Sequence, residues 1–138
     1  MSRRDTYHQA VKNALLKDGW TITHDPFHLK WGKKDLYVDL GAERLLAAQK
    51  GTLEIAVEVK SFLSPSEMAD LEEAVGQYVL YHDIMAERDP NRILYLAVTQ
   101  DVMNDVFDEA IGKLVLKNHR IRLLVFDPNN EVITQWIA

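Results

Sequence analysis

Asp39 and the run Glu58-Val59-Lys60 place two carboxylates and an ammonium on segments that read as neighbouring strands, and Gln77 and Tyr81 follow on what reads as the next helix. A Glu and a Lys two apart on a strand emerge from the same face, because side chains alternate with period 2. Hydrolysis of a phosphodiester needs charge stabilisation at phosphorus and a water made nucleophilic. Mg2+ (or Mn2+) supplies both when carboxylates hold it and leave coordination positions open. Asp39 and Glu58 would be the metal ligands, with the backbone carbonyl of Val59 as a further hard oxygen. Lys60 would orient or deprotonate the attacking water and offset transition-state charge. The plain alternative is the wet side of an antiparallel hairpin, where Glu and Lys are common, and a three-residue motif recurs by chance.

Positioning these groups requires a particular hairpin. Leu36, Val38, Leu40 and Ala42 alternate with polar residues, as do Leu53, Ile55, Val57 and Val59, which predicts two half-buried strands. A two-residue turn at Lys50-Gly51 makes facing positions sum to 101, so Gln49 pairs with Thr52. Leu36, Val38 and Leu40 then share the core face with Leu53, Ile55, Val57 and Val59. Asp39, Gly41 and Glu43 share the other face with Glu58, Lys60 and Phe62.

Before this hairpin, apolar residues from Asp5 to Lys17 recur at helical spacing and Gly19 ends the helix. Trp20 to Thr23 reads as a strand, and the stretch to Trp31 as an irregular excursion closed by Gly32 to Lys34. After it, Ser64-Pro65 starts a helix that runs to Asp89-Pro90, with Gln77 and Tyr81 one turn apart. Arg92 to Thr99 is a buried-type strand, Asp101 caps a helix to about Asn118, and two strands, Ile121 to Phe126 and Val132 to Ile137, flank the turn starting at Asp127. The order is α-β-β-β-α-β-α-β-β, an α/β (α+β) mixed-sheet fold without repeats or linkers.

The 138 residues, 47% hydrophobic and 27% charged, fit one domain spanning 1–138. No apolar run approaches a membrane span and no signal-peptide core follows Met1, so a soluble cytoplasmic protein is expected. Zero cysteines exclude disulfides and thiolate metal sites. A net charge of −5 argues against a protein that coats nucleic acid through a broadly basic surface, while leaving room for an enzyme that cuts it.

Asp39, Glu58-Val59-Lys60 and the Gln77 to Tyr81 helix, in an α-β-β-β-α-β frame, resemble the PD-(D/E)XK nuclease superfamily, in its branch with a Q-x-x-x-Y helix. Nearer still, the stretches His8 to Leu15, Lys17 to Pro26, Tyr37 to Glu43 and Ala56 to Phe62 resemble the XisH family of fdxN element excision controlling factors of cyanobacteria. That resemblance implies a restriction-endonuclease-like core with an added helix and a C-terminal hairpin, and a role on DNA in programmed excision with a recombinase and a XisI-type partner. Val38 stands where the superfamily has Pro before its acid, which leaves Asp35 and Glu43 open as alternative ligands. Besides a Mg2+-dependent endonuclease, the residues admit a non-catalytic DNA- or recombinase-binding accessory factor, or a toxin-like nuclease restrained by a XisI-type partner.

Other residues have two readings each. Gln77 and Tyr81 contact nucleic acid or simply pack their helix on the sheet. His8 approaches the site from the first helix or lies at the surface. The run Pro26 to Lys34, with Lys30, Trp31, Lys33 and Lys34, interleaves aromatic and basic residues in a way that suits stacking and phosphate contacts, or is a solvated loop. Ile133, Trp136 and Ile137 form an apolar end that serves a homodimer or partner, or covers the chain's own sheet. The histidines lack zinc-site spacing.

Overall fold

A computed structural model describes residues 6–45, 51–119 and 121–138. Its elements are α1 (His8–Lys17), β1 (Thr21–His24), β2 (Phe27–Trp31), β3 (Lys34–Val38), β4 (Leu40–Leu45), β5 (Thr52–Val59), α2 (Glu67–Arg88), β6 (Ile93–Thr99), α3 (Gln100–Val102), a π-helical turn (Met103–Phe107), α4 (Ala110–His119), β7 (Leu123–Asp127) and β8 (Val132–Ile137). Six strands form one mixed sheet in the order β1-β4-β5-β6-β7-β8, and β2 and β3 form a separate two-stranded sheet. The fold class is the α/β mixed-sheet architecture anticipated from the sequence.

The centre of the sheet is parallel because helices carry the chain back. From β5, α2 returns it to β6, and the short helices return it to β7. Strands covered on both faces become continuous apolar runs, as in Leu94 to Val98. Ala56, Leu94, Leu96, Leu123 and Val125 face α2, which contributes Leu71, Ala74, Tyr78 and Tyr81. The alternate residues Ile55, Val57, Ala97, Leu124 and Phe126 face α1 with its Val11 and Leu15. Ser66 caps α2 by accepting a hydrogen bond from the Ala69 amide at 3.1 Å. Gly19, at φ +90, ends the first helical segment.

Several sequence expectations are corrected. The strand anticipated through Leu36 to Ala42 breaks at Asp39, and its two halves enter different sheets. Leu36 and Val38 therefore pack on the α2 side, whereas Leu40 and Ala42 pack on the α1 side with Ile55 and Val57. The stretch to Trp31 is a regular strand that pairs with β3, not an irregular excursion. In the β4–β5 hairpin Leu45 faces Thr52 and Gly41 faces Ala56, so facing numbers sum to 97 rather than 101. The anticipated turn residue Lys50 and its neighbour Gln49 lie outside the described residues, as does Asp5. The shift is even, so within the β4–β5 ladder side chains keep their predicted faces, whereas Leu36 and Val38 do not.

The helix expected from Asp101 to Asn118 is interrupted. Thr99 caps its start by accepting from the Val102 amide, and the chain passes through the π turn before α4 begins at Ala110. A Cβ on Gly112 would lie 2.1 Å from the Val106 carbonyl oxygen, which shows how closely α4 folds back on that turn. The last two strands do pair as a hairpin, but β7 lies within the sheet beside β6 and its residues 123–126 are buried. Trp136 packs against Trp20 and Tyr95, at ring-centroid distances of 5.8 and 4.9 Å. Trp136 thus packs partly on its own sheet, while it and Val132 remain exposed on the edge strand. No described helix is long and apolar enough to cross a membrane.

Candidate active site

The break at Asp39 builds the site. A residue leaving one strand and entering another is not committed to a ladder, and its carboxylate takes a backbone partner instead: Asp39 Oδ2 accepts from the Val59 amide at 2.7 Å. In return the Asp39 amide donates to Glu58 Oε1 at 3.2 Å. The 97 register would set Asp39 opposite Glu58 if the ladder ran one residue further. Glu58 is thus tied to the backbone of Asp39, and Asp39 to the backbone of the residue after Glu58.

Glu58 points towards α2, because it shares its face of β5 with Ala56, and it is almost fully buried, at 9% exposure. Lys60 emerges next on that face, and its own amide extends the pairing with β6 by donating to the Ala97 carbonyl at 3.1 Å. Its Nζ lies 2.7 Å from Glu73 Oε1. Glu73, Gln77 and Tyr81 are spaced four apart and form one stripe along α2. Gln77 is half-buried and Tyr81 buried. Burial first, and then the negative charges of Glu58, Asp39 and Glu73, push the Tyr81 phenol up to about 12. Its hydroxyl is therefore a neutral donor beside three carboxylates.

His8 closes the site from α1. Its Nε2 is 2.9 Å from Asp25 Oδ1, while Lys12 Nζ sits 2.9 Å from Asp25 Oδ2. Burial works against ionisation of Asp25, but Lys12 and His8 outweigh it and hold the carboxyl below its ordinary value. The other ring nitrogen, Nδ1, is buried without a hydrogen-bond partner among the described residues, and Asp39 Oδ1 is 3.9 Å away. Nδ1 is thus turned toward a carboxylate oxygen beyond hydrogen-bond distance, with space between them on the edge of the site.

The structure thus gathers Asp39, Glu58, Lys60, Gln77 and Tyr81, with His8 at the margin. It does not gather the alternatives. Asp35 is exposed and paired with His28 at 2.8 Å, and Glu43 faces Glu54 across the β4–β5 ladder. Lys30, Trp31, Lys33 and Lys34 lie at the far end of the β2–β3 hairpin. Among the described residues no group of three His, Asp or Glu is arranged to hold a metal ion. Asp39 and Glu58, with the Val59 carbonyl, are the oxygen donors available, and hard oxygens suit Mg2+. Sequence reasoning missed Glu73 and Asp25. Glu73 was visible as the third member of the Gln77 and Tyr81 stripe, whereas Asp25 reaches His8 only through the fold.

A protein-family model described as XisH protein matches residues 1–134. The crystal structure of an XisH family protein from Nostoc punctiforme PCC 73102 is similar with a TM-score of 0.88 and 38% identity, over 97% of this chain and 100% of that one. That of a fdxN element excision controlling factor protein from Anabaena variabilis is similar with a TM-score of 0.87 and 37% identity, over 98% and 100%. No curated protein matches.

Proposed function

This chain belongs to the XisH family, and from that premise we propose that it is a fdxN-type excision controlling factor with a PD-(D/E)XK nuclease centre, which acts on DNA in programmed site-specific excision by Mg2+-dependent phosphodiester hydrolysis. The observation that carries this reading is the pairing of Asp39 with Glu58, each bonded to the other's backbone segment and facing Lys60 and Tyr81.

Asp39, Glu58 and the Val59 carbonyl would hold the ion, and His8 Nδ1, without a hydrogen-bond partner among the described residues and 3.9 Å from Asp39 Oδ1, leaves room for a bound water there. When bound, the ion supplies Lewis-acid stabilisation of the phosphoryl group and an activated water. The chain's own residues do the rest. Asp25 and Lys12 fix the His8 ring so that it faces Asp39. Lys60 brings an ammonium to the same face as Glu58, where it offsets charge on the phosphoryl oxygens. Tyr81 keeps its proton and donates it as a hydrogen bond. The setting of this activity is the cytoplasm, with a XisI-type protein and a recombinase as partners and a homodimer as the assembly.

A second reading, a non-catalytic accessory factor that binds DNA or a recombinase, is favoured by one observation: the Lys60 ammonium is engaged by Glu73 rather than standing free. The deciding experiment incubates duplex, branched and single-stranded DNA with Mg2+ or Mn2+ and either the wild-type protein or Glu58→Gln. Cleavage by the first and not by the second supports hydrolysis. DNA binding without cleavage by the wild type gives the accessory factor.

A further inference from the structure

We propose that the β2–β3 hairpin, braced by Arg88, is a second binding site that grips the phosphate backbone of duplex DNA roughly 16 Å from the acidic pair, taking about 3.3 Å for each of the five residue steps from Lys34 to Asp39. The inference rests on the reading of the protein as one that acts on DNA, but not on cleavage.

The hairpin is a two-stranded sheet of its own. Near the sheet it is anchored by Phe27, Leu29 and Val38, all buried in the α2-side core. Beyond them it changes character. Lys30, Lys33 and Lys34 are exposed, and among the described residues none of the three has a carboxylate within ion-pair reach. Asp35 stands opposite Lys30 on the β2–β3 ladder but is bonded to His28 at 2.8 Å, and Asp89 is paired with Arg92 at 2.9 Å. Arg88, in the last turn of α2, donates to the Lys30 carbonyl at 3.0 Å and sets its guanidinium 5.5 Å from the Trp31 ring centroid. A two-stranded ribbon is marginal alone, so this brace holds the end of the hairpin in one place.

The result is four positive charges and a 48% exposed indole on a protein of net charge −5. Surface lysines are common, but unpaired ones gathered on a braced projection against the overall charge create a local field for an extended polyanion. Continuity selects DNA backbone over an acidic protein: β3 runs from Lys34 to Val38, the residue before Asp39, so a strand that reached the acids along β3 would also reach the hairpin. At about 3.4 Å per nucleotide along one strand, that path spans roughly five base pairs.

The test measures anisotropy of a fluorescent duplex several helical turns long, over a salt series, in the Glu58→Gln background so that no cleavage intervenes. Lys33→Glu with Lys34→Glu is compared with Lys113→Glu and Lys117→Glu on α4, an equal charge change elsewhere. The hairpin pair should weaken binding at least about ten-fold at moderate salt and lower the slope of log affinity against log salt by about 1.8, for two phosphate contacts at ~0.9 each. The α4 pair should change the slope far less. Equal losses from the two pairs, no loss from the hairpin pair while circular dichroism stays native, or no duplex binding at all would each overturn the proposal. The last of these would leave the hairpin to an acidic protein partner. Hairpin-dependent binding by a wild-type protein that cleaves nothing would sink hydrolysis and leave this site standing.

Discussion

Asp39 and Glu58 hold each other through the backbone: the Val59 amide donates to Asp39 Oδ2 at 2.7 Å, and the Asp39 amide donates to Glu58 Oε1 at 3.2 Å. This reciprocity positions two like charges with little freedom, Glu58 on β5 and Asp39 in the single-residue break between β3 and β4. It also means that replacing either acid disturbs the placement of the other.

Divalent-ion affinity should rise with pH as the carboxylates ionise, and Glu58→Gln should lower it by at least about ten-fold through loss of a ligand charge. Calorimetric titration with Mn2+ checks this. Without metal, the variant should melt no lower than the wild type, because it removes a buried negative charge beside the half-buried Asp39 while an amide oxygen can still accept from the Asp39 amide. Equal ion affinities in the two proteins would make the acidic pair structural.

Glu73→Ala should free the Lys60 ammonium. If Lys60 serves hydrolysis, cleavage is kept or raised, while Lys60→Ala lowers it by roughly 10²- to 10⁴-fold, the usual worth of a positioned acid–base or charge group. Stability should change by no more than about 1 kcal/mol, since Glu73 is 57% exposed in this pair. Loss of activity in Glu73→Ala would assign the pair itself a positioning role.

Tyr81 has a pKa raised from 10.0 to about 12 by burial and then by the charges of Glu58, Asp39 and Glu73. The folded state therefore favours the neutral phenol. The stability this contributes is fully present below the unfolded value near 10 and is lost as pH rises toward 12. Tyr81→Phe should flatten the alkaline limb of a denaturation profile over that interval, seen by urea titration at stepped pH. It should also lower cleavage while leaving ion affinity unchanged.

Asp25 behaves in the opposite sense. Its folded pKa is depressed, so its contribution is present above the ordinary value of 3.8 and is lost as pH falls through the folded one. Asp25→Asn should cost about 1.5–3 kcal/mol at neutral pH through weakened bonds to Lys12 and His8, and should flatten the acid limb. Its effect on cleavage should follow the mobility of His8, read from imidazole NMR signals. An unchanged imidazole signal would remove Asp25 from the site's support.

Arg92 is a structural counterpart. It is buried over the Phe27 ring and donates to Asp89 at 2.9 Å, Glu54 at 3.0 Å and the Ile55 carbonyl at 2.9 Å. Arg92→Ala should destabilise by about 3–5 kcal/mol, since it strands those acceptors at the base of the β2–β3 hairpin. Denaturant unfolding measures the loss. A cost below about 1 kcal/mol would mean that water replaces the guanidinium freely.

Much was legible in the sequence because it is written in local periods. The two-residue alternation put Glu58 and Lys60 on one face, and four-residue spacing put Gln77 and Tyr81 on one stripe. Continuous apolar character marked β6 as buried, and Asp127 marked the final turn. These follow from backbone geometry within a single element, and they survived even a register error, because an even shift preserves faces. What lay between elements was not legible. Alternation through Leu36 to Ala42 has the same period whether one strand continues or two strands meet at Asp39, and only packing chose the second, sending Val38 and Leu40 to opposite cores. The same break placed Asp39 on the Val59 amide. The Asp25–His8 contact, the engagement of Lys60 by Glu73 and the bracing of the hairpin by Arg88 likewise join residues from separate elements. The sequence by itself thus determined which residues share a face. Which faces meet was decided by the tertiary structure, because the burial and long-range contacts that select one arrangement exist only once the whole chain has packed.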